Sequence, residues 1–136
     1  MAKKTVGVLI EARDALSALK RIQKVEALGI PAVWLTGTHR NLDALTLFAS
    51  ATAHTKEIKM GTAITPTFPR HPIVTAQQVQ VIAQLAAGRF RLGVGPGHKS
   101  GTEGTFGLDF KAPISQLREY IRIVKALLQK GSVDFD

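Results

Sequence analysis

Four short apolar runs alternate with longer stretches of helical periodicity along this chain, and that alternation limits the fold more than any single residue does. Thr5 to Ile10 (TVGVLI) reads as a buried strand. Asp14 then offers an N-cap, and Leu16, Leu19, Ile22, Val25 and Leu28 recur at helical spacing. Gly29 suits the position just past that helix, and Pro31 blocks its continuation. Ala32 to Leu35 (AVWL) is a second strand, and Asn41 or Asp43 can cap a helix that turns Leu45, Phe48 and Ala49 inward. Ile58 to Ile64 is a third strand, followed by a loop holding Pro66, Pro69 and Pro72. The next helix places Val74, Val81, Ile82 and Leu85 on one face and ends by Gly88, and Phe90 to Val94 is a fourth strand. A glycine-rich loop from Gly95 to about Ala112 leads into a helix opened by Pro113 and striped by Ile114, Leu117, Ile121, Val124 and Leu128. Gly131 stops it, and Val133 to Asp136 read as the start of a further element.

The order is βα repeated four times, which calls for a parallel sheet covered by helices. Two architectures remain open at this level. An open doubly wound sheet suits 136 residues by itself. A (β/α)8 barrel needs about 250, so this chain would be a (βα)4 half of one. Either way residues 1–136 read as a single domain.

Composition narrows the function classes. The chain has no cysteine, which excludes disulfides, thiolate metal sites and a cysteine nucleophile. Lys3 and Lys4 precede an apolar run too short for a signal-peptide core or a membrane span, so no membrane role is expected and a cytoplasmic location is the default. The formal charge of +8 raises nucleic-acid binding. Its densest groups, however, are Lys20, Arg21 and Lys24, then Arg118, Arg122 and Lys125, which read as solvated helix faces with few aromatics among them. No nucleic-acid partner is expected.

Gly93-Val94-Gly95-Pro96-Gly97 resembles a dinucleotide turn, but Pro96 interrupts it and no helix follows directly. Its glycines let backbone approach a ligand or turn the chain. Gly61-Thr62-Ala63-Ile64-Thr65-Pro66 ends the third strand in small residues, which leaves room for a flat ligand or makes a tight strand exit. Of the four histidines, no two have metal-ligand spacing, so no metal is expected. His39 and His98 fall in loops after the second and fourth strands, where α/β sites are built, and are candidate acid–base residues. Glu103 is the carboxylate nearest to His98 in sequence. His71 suits a capping role and His54 a helix C-terminus.

Taken in order, several segments resemble the luciferase-like monooxygenase superfamily. Ala27-Leu28-Gly29-Ile30-Pro31-Ala32-Val33-Trp34 is similar to its helix-to-strand passage. Met60 to Pro66, continued by Arg70-His71-Pro72, is similar to its "GTAVTP…RHP" segment, and Gly88 to Gly95 (GRFRLGVG) to its fourth strand. Gly95-Pro96-Gly97-His98-Lys99, with Glu103-Gly104, Gly107-Leu108 and Arg118-Glu119-Tyr120, resembles the branch that uses the deazaflavin coenzyme F-420. The resemblance implies a TIM barrel and a flavin or deazaflavin oxidoreductase, either F-420 or FMN lying over the carboxyl ends of the strands and a small molecule as substrate. It implies a non-prolyl cis bond at Ala63–Ile64 that backs the ring, with Gly61, Ala63, Ile64 and Thr65 among the cofactor-binding residues and Gly95, Gly97 and His98 lining the same pocket from the fourth strand. Many F-420-dependent members carry Asp-His after the second strand, where this chain reads Thr36-Gly37-Thr38-His39.

Members of that family run to about twice this length, as a whole barrel requires. Half a barrel exposes the edges of its first and fourth strands and part of its inner face, where Val6, Val8, Ala32, Trp34 and Phe90 could be stranded. The expected remedy is association, either of like chains into a homo-oligomer or with a second chain that completes the barrel. A non-catalytic half-barrel remnant or assembly module is the alternative.

Overall fold

The computed structural model describes residues 6–38 and 40–132. Four parallel strands form the main sheet, in the order β1 (Gly7–Ile10), β2 (Ala32–Leu35), β3 (Lys59–Thr62) and β5 (Phe90–Arg91). Beyond β3 and β5 the same two chain segments pair again as β4 (Thr65–Pro66) and β6 (Val94–Gly95). Helices α1 (Ala15–Ala27), α2 (Ala44–Thr52) and α3 (Pro72–Leu85) provide the crossovers. After β6 come α4 (Lys99–Phe106) and α5 (Pro113–Lys130). Neighbouring strands are consecutive and parallel, as in an opened segment of a β/α barrel.

The helix starts follow local chemistry. The Asp14 side chain accepts from the Ser17 N–H at 2.9 Å and Asp43 from the Thr46 N–H at 2.8 Å, so each carboxylate satisfies a donor that the first helical turn leaves free. Of the two candidate caps for α2, Asp43 is the one used, whereas the Asn41 amide turns to the Thr36 hydroxyl at 3.0 Å. Gly131 closes α5 in the left-handed region at φ 75°, which costs a glycine nothing.

The core lies between the sheet and its helices. Ile10, Val33, Leu35 and Met60 meet Ala18, Ile22 and Val25 of α1, Leu45 and Phe48 of α2, and Val79 and Ile82 of α3. Val8 and Phe90 belong to this helix-covered side, and Phe90 packs edge-on against Phe48 with ring centroids 5.8 Å apart. They are therefore not stranded on the inner face. The pleat sends the opposite set of residues there: Gly7 and Leu9, Ala32 and Trp34, Lys59 and Gly61, and Arg91.

Helix faces were less legible. In α3 the buried residues are Thr75, Ala76, Val79 and Ile82, while Val74, Val81 and Leu85 are exposed. That helix is apolar on several sides, so periodicity alone did not define the face that docks. In α1, Leu16 and Leu28 are likewise exposed and the small Ala18 is buried. In α5, Val124 and Tyr120 are buried, but Ile114, Ile121 and Leu128 form an exposed stripe.

Candidate active site

The site begins with a register change. Met60 pairs with Phe90 and Thr65 with Val94, so five steps along the third-strand segment match four along the fourth. The extra residue makes a bulge, and within it the Ala63–Ile64 peptide is cis. Thr62 pins the bulge from both sides: its hydroxyl donates to the Gly93 carbonyl at 2.8 Å and accepts from the Gly93 N–H at 2.9 Å. Gly93 has to be glycine here, because a Cβ would stand 2.2 Å from the Thr62 carbonyl oxygen.

The bulge pushes backbone toward the carboxyl end of the sheet, where a cleft of about 560 Å³ opens. Ala63, Ile64 and Pro66 form its floor, and Gly95, Pro96 and Gly97 one wall. Thr36, Gly37 and Thr38 stand opposite, and the first turns of α4 with Phe106 close the end. The lining is mostly apolar and small. At Gly95 a Cβ would come within 3.2 Å of Ile64 Cδ1, and at Gly37 within 2.8 Å of the Ile64 carbonyl oxygen. These glycines keep the walls thin and leave an open slot over Ile64.

An adjoining hollow of about 200 Å³ holds the polar groups. There Asp43 forms an ion pair with Arg70, whose other nitrogen donates to Gln78 Oε1 at 2.6 Å. Burial pushes the Asp43 carboxyl up, but the Thr46 hydrogen bonds and the Arg70 charge outweigh it and hold Asp43 below the usual carboxylate range. Thr65 lines the same hollow and is only 4% exposed, yet its buried Oγ1 has no hydrogen-bond partner. An unpaired buried hydroxyl costs free energy unless something supplies the missing bond.

The structure gathers Ala63, Ile64, Gly95, Gly97 and His98 around one cleft and sets Thr65 beside it. Gly61 is not in that lining; it lies one layer lower, beneath Trp34. His98 sits at the rim as the N-cap position of α4, without a side-chain cap bond. Glu103 pairs with Lys99 at 3.8 Å and not with His98. His39 lies outside the described residues. His71 caps α3, accepting the Ile73 N–H at Nδ1. Among the described residues no cluster of three or more metal-ligating side chains occurs, and no helix is long and apolar enough to cross a membrane.

Helix α4 is a correction to the long loop expected over Gly95 to Ala112. Gly101 and Gly104 weaken its propensity and it lacks an apolar stripe, so nothing in its periodicity announces a helix. Ser100, Gly101, Thr102 and Phe106 were missed as site residues for that reason. Thr36, Gly37 and Thr38 were missed as lining because small polar residues after a strand read as ordinary loop.

Parallel strands with a bulged cleft at their carboxyl ends are the architecture of a β/α barrel, the class of fold that builds its sites at that end. The luciferase-like monooxygenase family model matches residues 5–136, and the chain belongs to that family. It is 26% identical over 133 residues to the 5,10-methylenetetrahydromethanopterin reductase of Methanolobus tindarius, covering 97% of this chain and 40% of the relative. It is 37% identical over 99 residues to the F420-dependent glucose-6-phosphate dehydrogenase of Nocardia farcinica, covering 68% and 29%. Among solved structures, the coenzyme F420 dependent tetrahydromethanopterin reductase of Methanopyrus kandleri superposes with a TM-score of 0.86 at 25% identity, covering 99% of this chain and 43% of that one. The FMN complex of the oxygenating constituent of 3,6-diketocamphane monooxygenase from Pseudomonas putida gives 0.81 at 19% identity, covering 92% and 39%. The chain therefore spans less than half the length of these relatives, and its fold is that of half a luciferase-like TIM barrel.

Proposed function

We propose that this chain is the ring-binding half of an F-420- or FMN-dependent oxidoreductase that carries out hydride transfer or monooxygenation on a small molecule. The observation that carries the reading is the cleft itself: an apolar slot floored by the cis Ala63–Ile64 bulge and walled by Gly95 and Gly97. A ring bound there supplies the hydride or electron chemistry. The chain's own residues then have three tasks. Ile64 and Gly95 hold the face of the ring, Phe106 and Pro66 keep water from it, and Thr65 Oγ1 offers a hydrogen bond from the adjoining hollow. His98 presents an imidazole at the rim as a proton donor or acceptor, and His39 is a second acid–base candidate by its place after β2.

A second reading has one feature in its favour. The residues after β2 that line the cleft itself are Thr36, Gly37 and Thr38, with no acid among them, which fits a half barrel that keeps the fold without the reaction. The two separate on cofactor titration. The chain, alone and mixed with the carboxyl-terminal half of a relative such as the Methanopyrus kandleri enzyme, is passed over a sizing column with excess FMN or F-420. Co-elution of chromophore near one per barrel, lost on Gly95→Val, supports the oxidoreductase. Colourless protein from a barrel shown to be assembled overturns it in favour of the remnant.

A further inference from the structure

Beside the cleft, and joined to it, lies the hollow of about 200 Å³ that holds Thr65, Asp43 and Arg70. Gly37, Thr38, Pro66 and Phe106 line both spaces, so a molecule in the cleft can extend into the hollow. The two differ in chemistry. The cleft is lined by small and apolar residues, whereas the hollow carries an ion pair whose side chains, Arg70 and Asp43, stay 25% and 33% exposed. By volume the hollow holds about seven waters, or one group of a few heavy atoms. It is too small for a fused three-ring system.

Its polar groups have bonding capacity to spare. Asp43 accepts the Thr46 N–H and hydroxyl at Oδ1 and Arg70 at Oδ2, which leaves a lone pair on Oδ2. Arg70 has five N–H groups, and among the described residues it donates to Asp43 and Gln78 alone. Thr65 Oγ1 is buried and, among the described residues, has no partner. The hollow therefore presents donors and an acceptor side by side. An anion drawn to Arg70 is opposed by Asp43, and a cation drawn to Asp43 is opposed by Arg70. What fits is a neutral group that donates and accepts at once.

We propose that this hollow is a substrate subsite for a neutral amide edge, N–H and C=O side by side, as in a primary carboxamide or a lactam. The amide carbonyl accepts from Arg70 and Thr65, and its N–H donates to Asp43 Oδ2. The buried Thr65 hydroxyl then has the partner it lacks. A hydroxyl has one donor and two acceptor positions, so Thr65 can serve the hollow and the cleft together. The proposal rests on the cleft being the ring site, because the group that reaches the hollow then belongs to the second reactant. It narrows the small molecule of the reaction to one that carries an amide beside its reacting part.

The test titrates the isotope-labelled chain, without cofactor, with three probes of one shape and follows backbone amide chemical shifts. Acetamide donates and accepts, acetone accepts only, and acetate is an anion. Acetamide should shift the amides of Asn41, Asp43 and Thr65 with a dissociation constant of about 30 mM, as a fragment of so few atoms allows. Acetone, acetate and the Thr65→Val variant with acetamide should each bind at least about fivefold more weakly. No shift at these amides up to about 0.3 M acetamide means that water alone fills the hollow, and overturns the proposal. So does acetone or acetate binding as tightly as acetamide, or a folded Thr65→Val chain that binds acetamide unchanged. The comparison of probes needs no variant, so it decides the matter even if Thr65→Val does not fold. A second arm uses the assembled barrel with whichever of FMN and F-420 the titration above shows to bind. Saturating acetamide should leave the cofactor's affinity unchanged, and competition between them assigns the hollow to the ring's own edge and overturns the substrate subsite. A barrel that takes neither cofactor sinks the ring reading and leaves the acetamide result standing.

Discussion

The indole of Trp34 lies directly over Gly61, so close that a Cβ at position 61 would stand 2.3 Å from Cζ3 of the ring. Gly7 bears the other end of the same ring, where a Cβ would meet Nε1 at 2.6 Å. Neither glycine is needed for its dihedral angles, since neither has positive φ; each is needed for the absence of a side chain. Gly61→Ala should therefore lift the indole. Because the inner face is open, the ring has somewhere to go, and the loss should stay near the low end of overpacking costs, about 1 kcal/mol in urea unfolding. A red shift of the Trp34 emission should accompany it. Unchanged emission would mean that the ring does not rest where the geometry puts it.

How much of this was legible beforehand differs from element to element. The order of strands and helices was, because apolar runs of four to seven residues bounded by glycine and proline leave few alternatives. The Ala63–Ile64 bond was legible only through resemblance; no local rule marks a bulge between a buried Thr62 and a buried Thr65. The inner and outer faces of the sheet were not. Val8 and Leu9, or Phe90 and Arg91, are assigned to sides by register with neighbouring strands, which a single strand of two to four residues does not encode. Helix α4 was hidden by its glycines, and with it one end of the cleft.

Glu26 ties α1 to the turn that leads into β3. One oxygen of its carboxylate accepts the backbone N–H groups of Lys56, Glu57 and Ile58 at 2.9, 2.7 and 2.9 Å. Burial pushes its pKa up, but those three donors, with Arg89 nearby, leave it below its ordinary value. A folded pKa below the unfolded one means that protonation favours unfolding. The stabilisation is present above the ordinary carboxylate range and fades as pH falls through the folded value. Glu26→Ala should cost about 1–2 kcal/mol at neutral pH, and Glu26→Gln less, because its amide oxygen still accepts. Both variants should unfold with a flatter acid dependence than wild type. An acid profile that none of these changes alters would remove Glu26 from the account.

Asp43 does two jobs, capping α2 through Thr46 and pairing with Arg70 beside the cleft. Asparagine can still cap but cannot pair, so Asp43→Asn isolates the ion pair and Asp43→Ala removes both. The expected order of stability is wild type, then Asn, then Ala. The step from Asn to Ala should be about 1 kcal/mol, the usual worth of a cap. The carboxyl is held below its usual range, so the wild-type advantage over Asn should vanish as the solution is acidified through that range.

The α3–α5 contact turns on one buried hydrogen bond between the hydroxyls of Thr75 and Tyr120. Burial drives the Tyr120 hydroxyl to a higher pKa than usual, with Thr75 and Arg70 acting against it. Tyr120→Phe leaves Thr75 buried and without that partner and should cost about 1–2 kcal/mol. The double change with Thr75→Val should recover part of the loss, since no orphan remains. A double-mutant cycle with no coupling would show that the two hydroxyls are not bonded in solution.

Thr65 gives opposite predictions for stability and for binding. Its Oγ1 is buried and unpartnered, and the adjoining hollow contains the Asp43–Arg70 pair. Valine has nearly the same outline and no hydroxyl to desolvate, so Thr65→Val should stabilise the free chain by about 1 kcal/mol. If the hydroxyl serves a ligand in the neighbouring cleft, the same substitution should weaken FMN or F-420 in an assembled barrel by about tenfold, the worth of one hydrogen bond left unmade. Thermal unfolding of the free chain and absorbance titration of the assembled barrel read the two effects separately. A gain in stability with undiminished affinity would make Thr65 a packing residue, and its bare hydroxyl would no longer support the ring site.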